Sequence, residues 1–130
     1  MSHSYKPENY NSLSPYIIAD DAKKLVAQLK TIFNAEEFRR FEREDGTIIH
    51  IELKLDDTII MISNSTDAYP ANKTMLHFYV PDVFATYERA LQNECEPIEP
   101  PKNREGDPDT RGSFYDVAGN YWAVSTQQHP

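Results

Sequence analysis

Two histidines and one carboxylate carry most of the chemistry that this 130-residue chain offers. His50 and Glu52 stand two residues apart in the alternating stretch GTIIHIELKL, so they share one face of a strand. His77 lies in a second alternating stretch, TMLHFYV, on the face opposite Leu76, Phe78 and Val80. Two imidazoles and a carboxylate are the ligand set of non-haem iron oxygenases. Without a metal, the same groups serve as general acids and bases. The plainer reading is preferred: His50 and Glu52 line a polar rim and hydrogen-bond to each other or to water. A metal would demand a complete ligand geometry and a supporting shell. Arg111, in a loop-like region, is placed to pair with an acidic group of a ligand. Cys95 sits between two glutamates, which oppose thiolate formation. The four glycines are dispersed, so no phosphate-cradling loop is present in the sequence.

The bulk properties narrow the partners. A net charge of −8 and a pI near 4.9 disfavour nucleic acid and anionic membranes. One cysteine permits no internal disulfide and fits a reducing compartment. The opening residues MSHSYKPENY lack the apolar stretch of a secretory leader. A cytoplasmic protein is expected.

The elements that must position these side chains come in two similar units. TMLHFYVPDVFATYERAL reads as a strand, a capping Asp82, and a helix with the stripe Phe84, Tyr87 and Leu91. The same grammar appears 62 residues earlier in LSPYIIADDAKKLVAQL, which sets Leu13 against Met75. There Asp20 or Asp21 caps a helix with the stripe Ala22, Leu25, Val26, Leu29, Ile32 and Phe33, and Asn34 is a left-handed stop. Residues 37–44 are expected as a strand. Asp45-Gly46 forms a hairpin turn, and Ile49, Ile51, Leu53 and Leu55 form an inward face. Residues 93–112, with prolines at 97, 100, 101 and 108, read as a long irregular segment. The expected organisation is a polar tail (1–11), a first βαβββ module (12–63), a linker (64–73), a second βαβββ module (74–126) and a short C-terminal tail (127–130). The fold class is α+β: mixed, mainly antiparallel sheets around a concave cavity, with one helix on the outer face of each.

This order of motifs resembles the vicinal oxygen chelate superfamily of glyoxalases, bleomycin-resistance proteins and extradiol dioxygenases. The likeness rests on SPYIIADDAKKLVAQL, GTIIHIELKLDDTIIMI, YVPDVFATYERAL and YDVAGNYWAV, and its nearest form is the PhnB-like branch. That branch often has Pro after the Asp of its last motif, where this chain has Val117. The resemblance implies dimers, or modules paired across subunits, enclosing a pocket. It also implies metal-ligand positions at Leu13, Met61, Met75 and Ala123. Leucine and alanine offer no donor, and thioethers suit Cu(I) rather than Zn²⁺, Fe²⁺ or Mg²⁺. The expectation is therefore no cofactor, with a divalent metal only through a non-standard site.

Strand parity assigns Leu13, Ile17, His50, Glu52, Met61, Met75, His77, Tyr79, Phe114, Tyr121 and Ala123 to the cavity, with Arg111 at its mouth and Trp122 in the core. An apolar, aromatic pocket with few polar groups suits a small organic molecule. The leading expectation is a homodimeric PhnB-like protein that binds such a ligand without metal. One alternative is a lyase, isomerase or dioxygenase using His50, Glu52 and His77. The other is a dimeric partner-binding module with no ligand.

Overall fold

The computed structural model describes residues 4–129; residues 1–3 and 130, the outer ends of the two expected tails, lie outside them. The order is β1 (Tyr16–Ala19), α1 (Ala22–Phe33), β2 (Glu36–Glu42), β3 (Ile48–Leu55), β4 (Thr58–Asn64), β5 (Met75–Tyr79), α2 (Val83–Gln92), β6 (Glu96–Asn103), β7 (Asp109–Tyr115) and β8 (Tyr121–Gln127). These make two four-stranded sheets, ordered β1-β4-β3-β2 and β5-β8-β7-β6. In each sheet the first strand runs parallel to the last and the other pairs are antiparallel. The α+β class and the doubled βαβββ arrangement are thus present.

Both helices begin where a carboxylate can serve the free backbone N–H groups. Asp21 Oδ1 accepts from Lys24 N at 3.2 Å, and Asp82 Oδ1 accepts from Phe84 N and Ala85 N at 3.1 and 3.2 Å. Asn34 ends α1 in the left-handed conformation, as expected. The α1 stripe is buried as expected through Ile32. The α2 stripe is rotated: Val83, Tyr87 and Ala90 are buried, while Phe84 and Leu91 face outward.

The segment expected to be irregular is instead an edge strand and its hairpin. β6 pairs with β7 despite Pro97, Pro100 and Pro101, because an edge strand needs ladder bonds on one side only. Register shifts on either side of Glu99 accommodate the prolines. Gly112 lets β7 pass under α2. A Cβ there would stand 2.9 Å from the Tyr87 ring and 3.1 Å from Pro101 N.

One core joins the two modules. Phe33, at the end of α1, stacks among Phe78, Phe114 and Trp122 of the second sheet, with ring centroids 5.1, 6.4 and 4.8 Å away. Buried Gln28 bridges further, donating to Asn93 O at 2.7 Å and accepting from Val117 N at 2.9 Å. Among the described residues the two sheets share no strand pairing. Each keeps one face for the helix-filled core and leaves the other open.

The final hairpin owes its shape to Asp116. Its Oδ1 accepts from Ala118 N and Asn120 N at 2.9 and 3.0 Å, and its Oδ2 accepts from Trp122 Nε1 at 2.8 Å. The DVAGNYW motif is therefore a structural lock, which places Trp122 in the core, as its parity implied.

Candidate functional site

The open face of the first sheet carries a connected polar chain in an apolar setting. Pairing sets Tyr16 beside Met61 and Met61 opposite Glu52, so these three project to one side. His50, two residues before Glu52, joins them. Its Nε2 lies 2.8 Å from Glu52 Oε2, and its Nδ1 lies 3.1 Å from the Tyr16 hydroxyl. On the other side, the Tyr10 hydroxyl donates to Glu52 Oε1, and Arg39 Nε stands 3.9 Å from that oxygen. Tyr10 comes from the N-terminal segment, which is anchored where Asn11 Oδ1 accepts from Ile59 N at 3.2 Å. The expected polar tail thus lies, in part, against the open face.

Glu52 is only 3% exposed. Burial pushes its carboxyl up, but hydrogen bonds from Tyr10 and His50, with the Arg39 charge, outweigh that and hold it below the ordinary range. Burial and the bond to Glu52 together push the Tyr10 phenol up to about 12. An ionised Glu52 only accepts, so the bonded Nε2 of His50 carries a hydrogen, and in the neutral tautomer with that hydrogen Nδ1 accepts from Tyr16.

Beside Tyr16 lies a groove of about 590 Å³. Its apolar lining includes Ile18, Ile48, Ile49 and Tyr69, its polar lining includes Ser63 and Thr66, and among the described residues Arg43 is the single charged side chain. Ile49 reaches this side because of a register shift. Phe41 pairs with His50 but Glu42 pairs with Ile48, so Ile49 is an extra residue in β3. Ile48 takes the inward position and Ile49, expected inward, is 45% exposed. The connection from β4 to β5, residues 65–74, runs along β1, where Asn72 N donates to Ile18 O and Asn72 Oδ1 accepts from Ile18 N, both at 3.0 Å. This course brings Tyr69 to the groove.

The second open face holds Met75, His77 and Tyr79, with Tyr121, Ala123 and Ser125 beside them on β8. His77 Nε2 is 3.0 Å from Ser125 Oγ, and Tyr79 donates to Asp109 Oδ2 at 2.7 Å. Arg111 lies in β7, where it contacts Asp107 at 3.2 Å and Asp109 at 3.6 Å. Its cation is already matched inside the chain. Asp109 Oδ1 is buried with no partner among the described residues.

Three of the expected cavity residues are elsewhere. Ile17 and Phe114 are fully buried in the helix-side core, and Leu13 precedes β1 with 85% exposure. The reason for the Ile17 error is a one-residue slip. The caps Asp21 and Asp82, and the counterparts Tyr16 and His77, are 61 residues apart, whereas Met61 and Ala123 are 62 apart. A slip of one residue reverses every side chain of a strand. Phe114 pairs with Trp122 and so shares its inward face; Ser113 and Tyr115 point the other way. His77 is on a different sheet from His50 and Glu52, so one chain does not assemble the three. Tyr10, Tyr16, Arg43 and Tyr69 were missed, since only tertiary contacts bring the tail, first strand, hairpin and linker together.

At the positions where the resemblance puts metal ligands, the structure shows no donor set for a hard divalent cation. Leu13 is off the strand, and Met61, Met75 and Ala123 offer thioethers and a methyl group. Among the described residues no group of three or more His, Cys, Asp or Glu side chains is arranged to hold a metal ion.

These two sheets, each backed by a helix and paired in tandem, are the vicinal oxygen chelate fold of glyoxalases and bleomycin-resistance proteins. The similar solved structures include TioX from Micromonospora sp. ML1, at TM-score 0.77 and 17% identity over 90% of this chain and 98% of that one. They also include the fosfomycin resistance protein FosX from Listeria monocytogenes complexed with Mn(II) and sulfate, at TM-score 0.70 and 19% identity over 90% of each chain. In sequence, the chain is 25% identical over 124 residues to uncharacterized proteins of Mycobacterium bovis and Mycobacterium tuberculosis, covering 87% of this chain and 81% and 72% of theirs. No family profile matches.

Proposed function

We propose that this chain binds a small organic molecule in the groove beside Tyr16, without a divalent metal, in the manner of the PhnB-like proteins its sequence resembles. The observation that carries this reading is the groove itself: apolar and aromatic walls, a few hydroxyls, and one cation at Arg43. Resistance proteins among the structural neighbours, such as FosX, make sequestration or processing of a small foreign molecule a fitting role. A cytoplasmic home accords with the lone, buried Cys95.

The functional unit is proposed to be a homodimer. Phe41 on the first sheet and Met75, Tyr79 and Tyr115 on the second are all more than one-third exposed. Large apolar side chains concentrated on sheet faces mark surfaces that a partner covers. A second copy would supply that cover. An enzyme using His50, Glu52 and His77 together would need that copy, because His77 lies on the other sheet of its own chain.

The test is a thermal-shift titration with a panel of small aromatic and aliphatic carboxylates. Stabilisation that saturates, and is lost in Ile49→Glu and Arg43→Gln, is expected. Failure of the whole panel to stabilise the unaltered chain would sink the reading and favour a module without a ligand. Added Mn²⁺, Zn²⁺ or Mg²⁺ is expected to leave the melting temperature unchanged; saturable stabilisation by any of them would overturn the metal-free part.

A further inference from the structure

We infer that Tyr16 is an activated hydroxyl, which exchanges a proton with a weakly acidic organic anion held in the groove, through His50 and Glu52. Among the described residues Tyr16 alone belongs to both structures: it lines the groove and it meets His50 Nδ1 at 3.1 Å. Behind it, His50 Nε2 is 2.8 Å from the Glu52 carboxylate. The Glu52 side chain is 4% exposed, with Tyr10 on its other oxygen and Arg39 nearby. The aromatic neighbours of the imidazole are Tyr16 and Phe41, with centroids 5.7 and 6.4 Å away. A carboxylate that fixes a histidine, which in turn polarises a hydroxyl, is the general logic of an activated nucleophile or base. With Nε2 carrying the ring hydrogen, Tyr16 donates to Nδ1, and the phenolic oxygen keeps its lone pairs for a group in the groove.

The substrate class follows from the lining. Ile18, Ile49 and Tyr69 accept a flat apolar body, Arg43 an anionic group, and Tyr16 an exchangeable proton. In the forward step the X–H bond of the substrate breaks and its proton passes to Tyr16 Oη. The phenolic proton moves to His50 Nδ1, and X keeps the electron pair. The resulting imidazolium rests against Glu52. Nothing is oxidised or reduced, and the return of the proton to another atom of the same molecule would be an isomerisation. Tyr16 is the catalytic group in this scheme, and His50 and Glu52 are positioning residues.

The inference shares its groove with the binding reading, but its test needs no ligand. Benzenesulfonyl fluoride is added and the tyrosines are mapped by mass spectrometry over time. At Tyr16 an S–O bond forms, the S–F bond breaks, fluoride leaves with the electron pair, and the phenolic proton goes to His50. Tyr5 serves as the internal reference, because it is 90% exposed against 46% for Tyr16. Tyr16 is expected to react about tenfold faster than Tyr5, a modest share of what an adjacent base contributes. His50→Ala or Glu52→Gln is expected to remove that advantage while Tyr5 reacts as before. Tyr16 labelling no faster than Tyr5 in the unaltered chain would overturn the inference without recourse to any variant. So would an undiminished Tyr16 rate in folded His50→Ala. Saturable carboxylate binding alongside either failure would leave the groove as a binding site only.

Discussion

The Oε1 atom of Gln28, on the first helix, accepts a hydrogen bond from Val117 N at 2.9 Å, across 89 positions of sequence. Proline at position 117 has no N–H to give and cannot make this bond. Here the N–H is present and a buried glutamine uses it to tie the helix of one module to the last hairpin of the other. Val117→Pro should therefore destabilise the chain by about 1–3 kcal/mol, since it strands a buried acceptor. Chemical denaturation is the measurement, and an unchanged midpoint would show that the bridge carries no weight.

Tyr10 closes the chain of polar groups on the first open face, so Tyr10→Phe should cost about 1–2 kcal/mol at neutral pH through the loss of a bond to a charged acceptor. The alkaline behaviour gives a second reading. The phenol is raised from 10.0 to about 12 in the folded state. Its stabilisation is complete below pH 10 and is lost as pH rises towards 12. The difference between the wild-type chain and Tyr10→Phe should shrink over that interval, and a constant difference would contradict the placement.

Glu52 acts in the opposite sense. Its folded-state carboxyl lies below 4.5, so its stabilisation is present above that value and fades as pH falls through the folded-state value. Glu52→Gln should flatten this acid limb of the stability profile. An acid limb as steep in the variant as in the parent would point to other carboxylates, such as Glu37, which Lys30 and Arg40 also hold low.

Gly112→Ala should destabilise by about 1–3 kcal/mol, because the added methyl meets a ring carbon at 2.9 Å and a backbone nitrogen at 3.1 Å. Pairing the change with Tyr87→Leu, which frees space above the strand, should recover part of the loss. A double variant no better than the single would place the conflict at Pro101 instead.

Self-association is checked by sedimentation. The unaltered chain is expected to run as a dimer, and Met75→Glu to shift it towards monomer by burying a charge in the covered face. A monomeric mass for the unaltered chain would remove the proposed dimer.

The sequence by itself determined most of the elements and the doubled unit, but not β6, whose prolines read as an irregular segment. Asp82 and Asn34 mark helix ends, Asp45-Gly46 marks a hairpin, and alternation marks most strands, because caps, turns and side-chain period act within a few residues. It also placed His50 beside Glu52, since residues two apart on a strand share a face. Facing was less secure. A repeat offset of 61 in the first half and 62 in the second turned Ile17 inward, and one extra residue turned Ile49 outward, because strand parity accumulates every insertion. Tertiary structure alone decided the rest. It laid Tyr10 on Glu52, set Tyr16 against His50, carried Tyr69 to the groove, and kept His77 on another sheet. These are contacts between segments whose separation along the chain leaves no local trace, and only the packing of the two modules around one core fixes them.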